Sequence, residues 1–126
     1  MKSSDNLPLY KSAFDLAVYF EKIVKNFDRY NKYTLGSDLR NQSRLVAKQV
    51  MRIQRTKLQS DKEELLAQLE ELKLIIRLTK EVNAFHNPNS YSYSAKLLSQ
   101  ISRQAQTWHS HSLIGGKQSE PRICAV

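Results

Sequence analysis

The sequence predicts an all-α domain, an up-down-up-down bundle of four helices, and three observations predict it. Apolar residues recur at three- and four-residue spacings through four long segments, and no stretch alternates apolar with polar residues as a strand would. The breaks between these segments are short, roughly seven, three and six residues, and short connections between long helices force antiparallel neighbours. Three glycines and three prolines in 126 residues are too few for the turns of a β-sandwich or barrel.

In the first segment Leu9, Ala13, Leu16, Phe20, Ile23 and Phe27 recur at alternating spacings of four and three, a heptad-like core stripe. Pro8 suits a first helical turn, and Phe14, Tyr19 and Val24 widen the apolar face. The helix is expected to end between residues 26 and 29, where Asn, Asp and Arg accumulate ahead of Tyr30. The second helix is expected to start after Thr34 as N-cap, with Asp38 near the positive end of its dipole, and to run to about Lys57. Gly36 falls in its first turn, where glycine costs less than in a helix middle. Leu35, Leu39, Val46, Val50 and Ile53 form the inward stripe.

Ser60 and Glu63 have the spacing of a capping box, and Asp61 and Glu64 add first-turn negative charge, so a third helix is expected from Ser60 to about Phe85. It carries two apolar seams. Leu65, Leu69, Leu72 and Ile76 form one, and Ile75, Leu78, Val82 and Phe85 form the other. Two seams make it either the most buried helix or a contributor to an oligomer interface. His86-Asn87-Pro88-Asn89-Ser90 breaks the pattern. A fourth helix follows over about residues 92–109, with Leu98, Ile101, Ala105 and Trp108 inward and Tyr91 and Tyr93 packing its start. The bundle is assigned to residues 1–114, and residues 115–126, which open on Gly-Gly and lack periodicity, are expected to be a flexible tail.

The charge is uneven. The whole chain carries +8, with 20 Lys and Arg against 12 Asp and Glu. Over residues 34–58 six bases stand against Asp38 alone, a net +5. Five of the six, Arg40, Arg44, Lys48, Arg52 and Arg55, recur at four, four, four and three. At about 100° per residue they share an arc of roughly 120° opposite the apolar stripe, and Lys57 extends the charge past the helix end. A merely solvated face mixes signs, whereas this ridge contains no acid of its own and is mostly arginine, whose planar fork suits phosphate. A polyanion or acidic-partner surface is therefore expected here. Tyr30 and Tyr33 flank Asn31 and Lys32 beside the ridge. They suit stacking on unpaired bases, and equally packing of the bundle end with their hydroxyls exposed, which is the commoner use.

No catalytic constellation appears, so an enzyme is not expected. Gly115-Gly116-Lys117 lacks the rest of a phosphate loop, and the acids of the third helix lack a Glu-x-x-His pattern. His109 and His111 are two apart, a spacing that points helical side chains to different sides, so no metal or cofactor site is expected. Cys124 is the one cysteine and stands third from the end, one residue short of a prenylation box. With no disulfide possible within the chain, no signal-like run and no apolar stretch approaching the roughly 18 residues of a membrane span, a cytoplasmic protein is expected.

Three stretches carry a resemblance: Leu7-Pro8-Leu9-Tyr10-Lys11, Val24-Lys25-Asn26-Phe27, and Lys32-Tyr33-Thr34-Leu35-Gly36-Ser37-Asp38-Leu39-Arg40. With the Tyr-rich start and late Trp108 of the last helix, they make residues 7–110 similar to the accessory variability determinant (Avd) proteins of diversity-generating retroelements. The resemblance implies a four-helix bundle assembled as a barrel-like homopentameric ring. It also implies binding to the retroelement's reverse transcriptase and to nucleic acid, in support of mutagenic retrohoming and without catalysis. The basic positions of the second helix carry over, Arg40 and Arg44 foremost. A sister family, encoded by intervening sequences in 23S ribosomal RNA genes, shares the Leu-x-x-x-Leu-Arg start but continues into a Pro-containing, Glu-Gly-ending stretch. Here Leu45 to Arg52 is basic and lacks that proline. The alternative function is that of this sister type, an interaction bundle whose ridge meets an acidic protein.

Overall fold

The core stripe of the first segment forms α1 (Leu7–Ile23), which tightens into a single 3-10 turn over Val24–Asn26. A one-turn helix α2 (Arg29–Lys32) follows, and then three long helices, α3 (Leu35–Thr56), α4 (Gln59–Glu81) and α5 (Pro88–Gly116). This computed structural model describes residues 7–116, and side chains over 8–109; no strand occurs among the described residues. α1 packs on α3 and α5, and α4 packs on the same two, so α1 and α4 lie across one diagonal and α3 and α5 across the other. Contacts between neighbours pair early residues of one helix with late residues of the next, as in Gln42 with Gln68 and Gln49 with Asp61, which makes the neighbours antiparallel. The four-helix bundle expected from periodicity is the architecture observed.

The core is the set of stripes. Leu9, Ala13, Leu16 and Phe20 of α1 meet Leu39, Val46, Val50 and Ile53 of α3, with Leu65, Leu69, Leu72 and Ile76 of α4 and Leu98, Ile101 and Ala105 of α5. Two buried glutamines add direction to this apolar packing. Gln42 Nε2 donates to the Gln68 carbonyl oxygen at 3.0 Å, and Gln49 Nε2 donates to that of Asp61 at 2.8 Å. A buried amide left without a partner costs about 1–3 kcal/mol. A sliding of α3 along α4 would break both bonds together, so the pair fixes register.

Several local expectations are corrected. Val24, in the 3-10 turn, takes the buried place expected of Ile23, which is only half-buried. The break expected before α3 contains α2, whose N-cap is Asp28: its carboxylate accepts from the Asn31 side chain at 2.7 Å and from the Asn31 backbone N–H at 3.5 Å. Thr34 is the N-cap residue of α3, as expected, but its side chain makes no cap bond; its hydroxyl donates back to the Tyr30 carbonyl oxygen at 2.9 Å. The Ser60–Glu63 capping box does not form, because α4 starts at Gln59 and Ser60 is already helical. Asp61 instead faces α3.

α4 ends at Glu81, short of Phe85. Asn83 takes the left-handed conformation (φ 60°), its N–H donates to Lys80 O and that of Ala84 donates to Thr79 O, a Schellman motif that turns the chain and buries Phe85 outside the helix. Phe85 then meets Phe27 edge to face at 5.9 Å. α5 starts at Pro88, suited to a first turn, and continues to Gly116, past the expected end at His109. Of the tail expected over residues 115–126, Gly115 and Gly116 belong instead to α5, and residues 117–126, Cys124 among them, lie outside the described residues.

Candidate nucleic-acid interface

α3 is the most sharply two-faced segment of the chain. Leu39, Val46, Val50 and Ile53 are at most 1 % exposed, while Arg44, Lys48, Arg52, Arg55 and Lys57 lie in solvent and Arg40 is half-buried. Arg40, Arg44, Lys48, Arg52 and Arg55 therefore share the outward face of α3, as the spacing requires. Lys57 sits just past the helix in the left-handed conformation (φ 55°), where its N–H donates to Ile53 O at 2.8 Å and ends α3.

The ridge is not free of acids once the neighbours are in place. Glu21 of α1 accepts from Arg40 Nε at 3.0 Å and from Arg44 Nε at 2.8 Å. Asp61 of α4 accepts from Arg52 Nε at 3.3 Å and from the Thr56 hydroxyl at 2.6 Å. These carboxylates tie down the two edges of the ridge, one toward α1 and one toward α4. Lys48 and Arg55 lie on the outward centre line between them and form no ion pair with a described residue. The five bases of the α3 face less Glu21 and Asp61 leave that face at +3. The pairs leave the arginines usable, because exposed ion pairs contribute only about 0–1 kcal/mol each and a polyanion can exchange for them.

The carboxylates respond as their surroundings require. Partial burial works to raise Glu21, but hydrogen bonds and charge from Arg40 and Arg44 outweigh it and hold the group below the usual glutamate range. Asp61 is held below the usual aspartate range, first by the Thr56 hydroxyl and then, against some burial, by Arg52. Both therefore stay ionised at neutral pH and hold the edge arginines oriented.

Tyr30 and Tyr33 do not pack the bundle end. They are 75 % and 70 % exposed, and neither ring contacts another described aromatic ring. Tyr91 and Tyr93 do pack: Tyr91 lies 6.4 Å from Phe85, and Tyr93 lies 4.6 Å from Tyr19. Tyr33, with Glu21 and Arg40, borders a cavity of about 450 Å³ where α1, α2 and α3 meet. Lys22, Lys25 and Lys32 complete its rim, and none of the three stands out in the sequence. There they alternate with Glu21 and Asp28, which dilutes their charge, and only the fold turns them to a common mouth.

Two histidines gain acidic neighbours that the sequence did not suggest. His109 Nε2 lies 3.5 Å from Glu63, and His86 Nε2 lies 3.9 Å from Asp28. His111 has no described side chain. Among the described residues no group of three or more His, Cys, Asp or Glu side chains is disposed to hold a metal ion, and no helix is long and apolar enough to cross a membrane.

Neither protein-family models, nor characterised proteins, nor solved structures give a match to this chain.

Proposed function

We propose that this chain is a non-catalytic accessory protein of a diversity-generating retroelement. In this reading the α3 face binds nucleic acid, template RNA or cDNA, and the bundle engages the reverse transcriptase, supporting mutagenic retrohoming. The observation that carries the reading is the outward face of α3, where Lys48 and Arg55 stand without an acid between edge arginines held in place by Glu21 and Asp61. A cationic surface of this kind draws its affinity from the counterions a polyanion releases. The Tyr-Thr-Leu-Gly-x-x-Leu-Arg stretch supports the same branch. It spans the junction of α2 and α3, where its glycine is needed for close packing and its arginine opens the ridge.

The assembly in this reading is a homo-oligomer, with a pentameric ring favoured. Part of the second α4 seam supports it. Leu78 and Val82 of that seam are 45 % and 54 % exposed on the outside of α4 and its C-cap, next to Leu74, 59 % exposed one turn earlier, while Ile75 packs against the core and Phe85 is absorbed into it. The sister reading, in which the ridge meets an acidic protein, has one observation in its favour: carboxylates already satisfy Arg40, Arg44 and Arg52 within the chain.

The genomic neighbourhood and co-purification test the proposal. A reverse-transcriptase gene with a pair of near-repeats should lie beside this gene, and that enzyme should be retained on the tagged chain at about 0.15 M salt. RNA should compete with an acidic protein for the ridge if nucleic acid is the natural ligand. A chain that retains an acidic protein which excess RNA does not displace supports the sister reading instead.

A further inference from the structure

Most of the α3 face is convex, as any helix is. At its N-terminal end the cationic surface runs into a cavity and becomes concave. Arg40 belongs to both, so the ridge runs into the cavity without a break. Four cations rim the cavity, Lys22, Lys25, Lys32 and Arg40, against Glu21 alone, a net +3. Glu21 is itself occupied by Arg40 and Arg44. Lys22, Lys25 and Lys32 form no ion pair with a described residue. Val24, buried against Gly36, is the apolar residue of the cavity's lining.

One wall is Tyr33, a large ring left in solvent. Its backbone is held on both sides. Asp28 caps α2 through Asn31, and the Thr34 hydroxyl donates to Tyr30 O at 2.9 Å. With the backbone of the turn already fixed, stacking on this ring costs only the side chain's own rotamer freedom. At about 450 Å³ the cavity suits one nucleotide, since small-molecule sites span about 300–1,000 Å³.

We propose that this cavity receives one unpaired nucleotide of a single strand lying along α3. The base lies against Tyr33, and the flanking phosphates lie among Lys22, Lys25, Lys32 and Arg40. The proposal rests on the reading of α3 as a nucleic-acid surface and adds a preference to it. A paired base reaches such a pocket only after unstacking, which costs a few kcal/mol, so single strands bind in preference to duplex.

The test uses fluorescence anisotropy on the full chain, with a labelled oligouridylate of about 12 nucleotides and its duplex with oligoadenylate at about 0.1 M salt. Tyr33→Ala should weaken single-strand binding by about 5- to 100-fold, the loss of one base–aromatic stack, with duplex affinity within about twofold of the parent. Tyr33→Phe should restore single-strand binding. Lys25→Gln with Lys32→Gln should lower the single-strand salt slope by up to about 1.4, at about 0.7 for each phosphate neutralised. Tyr33 is exposed, so unchanged melting by circular dichroism is expected for both tyrosine variants. If Tyr33→Ala binds the single strand as the parent does, or weakens both ligands alike, the pocket assignment is overturned while the ridge reading stands. If the parent binds neither ligand, both fall.

Discussion

Gly36 stands so close to Val24 that a Cβ on it would lie 2.6 Å from Val24 Cγ1. The same Cβ would lie 3.1 Å from the Asn31 carbonyl oxygen and 3.4 Å from Phe27 Cδ2. Gly36 lies in the first turn of α3, where that helix crosses the 3-10 turn and α2, and the absent side chain is what allows the crossing. Gly36→Ala is therefore expected to destabilise the protein by roughly 1–3 kcal/mol, read from the denaturant midpoint at constant m. Val24 is β-branched and buried, so it cannot swing aside cheaply. Val24→Ala in the Gly36→Ala background should recover part of the loss, a non-additivity that a double-mutant cycle measures. Strict additivity would show that the clash is relieved elsewhere.

Glu21 gives a pH signature. Its carboxyl titrates below the usual range because the hydrogen bonds from Arg40 and Arg44 outweigh the opposing effect of burial. A group depressed in the folded state stabilises above its unfolded pKa and loses that contribution as pH falls through the folded value. Glu21→Gln should therefore melt below the parent at neutral pH. The difference should hold down to about pH 5 and shrink below about pH 4. A difference that stays constant into acid would mean the pairs with Arg40 and Arg44 add no stability.

Oligomerisation should depend on α4. The parent is expected to be a homo-oligomer, most often a pentamer, by light scattering at micromolar concentration. Leu78→Glu should shift it toward monomer without loss of helicity, because Leu78 is 45 % exposed on the outside of the bundle. A monomeric parent would refute the interface, whereas a dimer or tetramer would refute only the stoichiometry.

The long elements were legible because their signal is periodic. The α1 and α3 stripes place Leu16, Phe20, Leu39, Val46 and Ile53 in the core without knowledge of any neighbour. Helix ends were less legible, because a cap depends on which of several nearby side chains wins. Ser60 and Glu63 have capping-box spacing, but Asp61 is drawn to Thr56 and Arg52 across the turn, and α4 starts one residue earlier. The site was legible along one helix and hidden between helices. Arg40 to Arg55 could be aligned by arithmetic. Their pairing with Glu21, nineteen and twenty-three residues away from Arg40 and Arg44, is a product of the α1–α3 packing, and so is the cavity beside it.

The most direct measurement of the central claim is filter binding of single-stranded RNA at several salt concentrations, comparing the parent with Lys48→Glu/Arg55→Glu. These two bases form no ion pair with a described residue, so changing them leaves the Glu21 and Asp61 contacts of Arg40, Arg44 and Arg52 in place. The double variant should keep its helicity and melting temperature. It should bind at least tenfold more weakly, and its slope of log affinity against log salt should fall by about 0.7 for each phosphate that is no longer neutralised. A folded double variant with the parent's affinity and the parent's slope would contradict the assignment of the α3 face to nucleic acid.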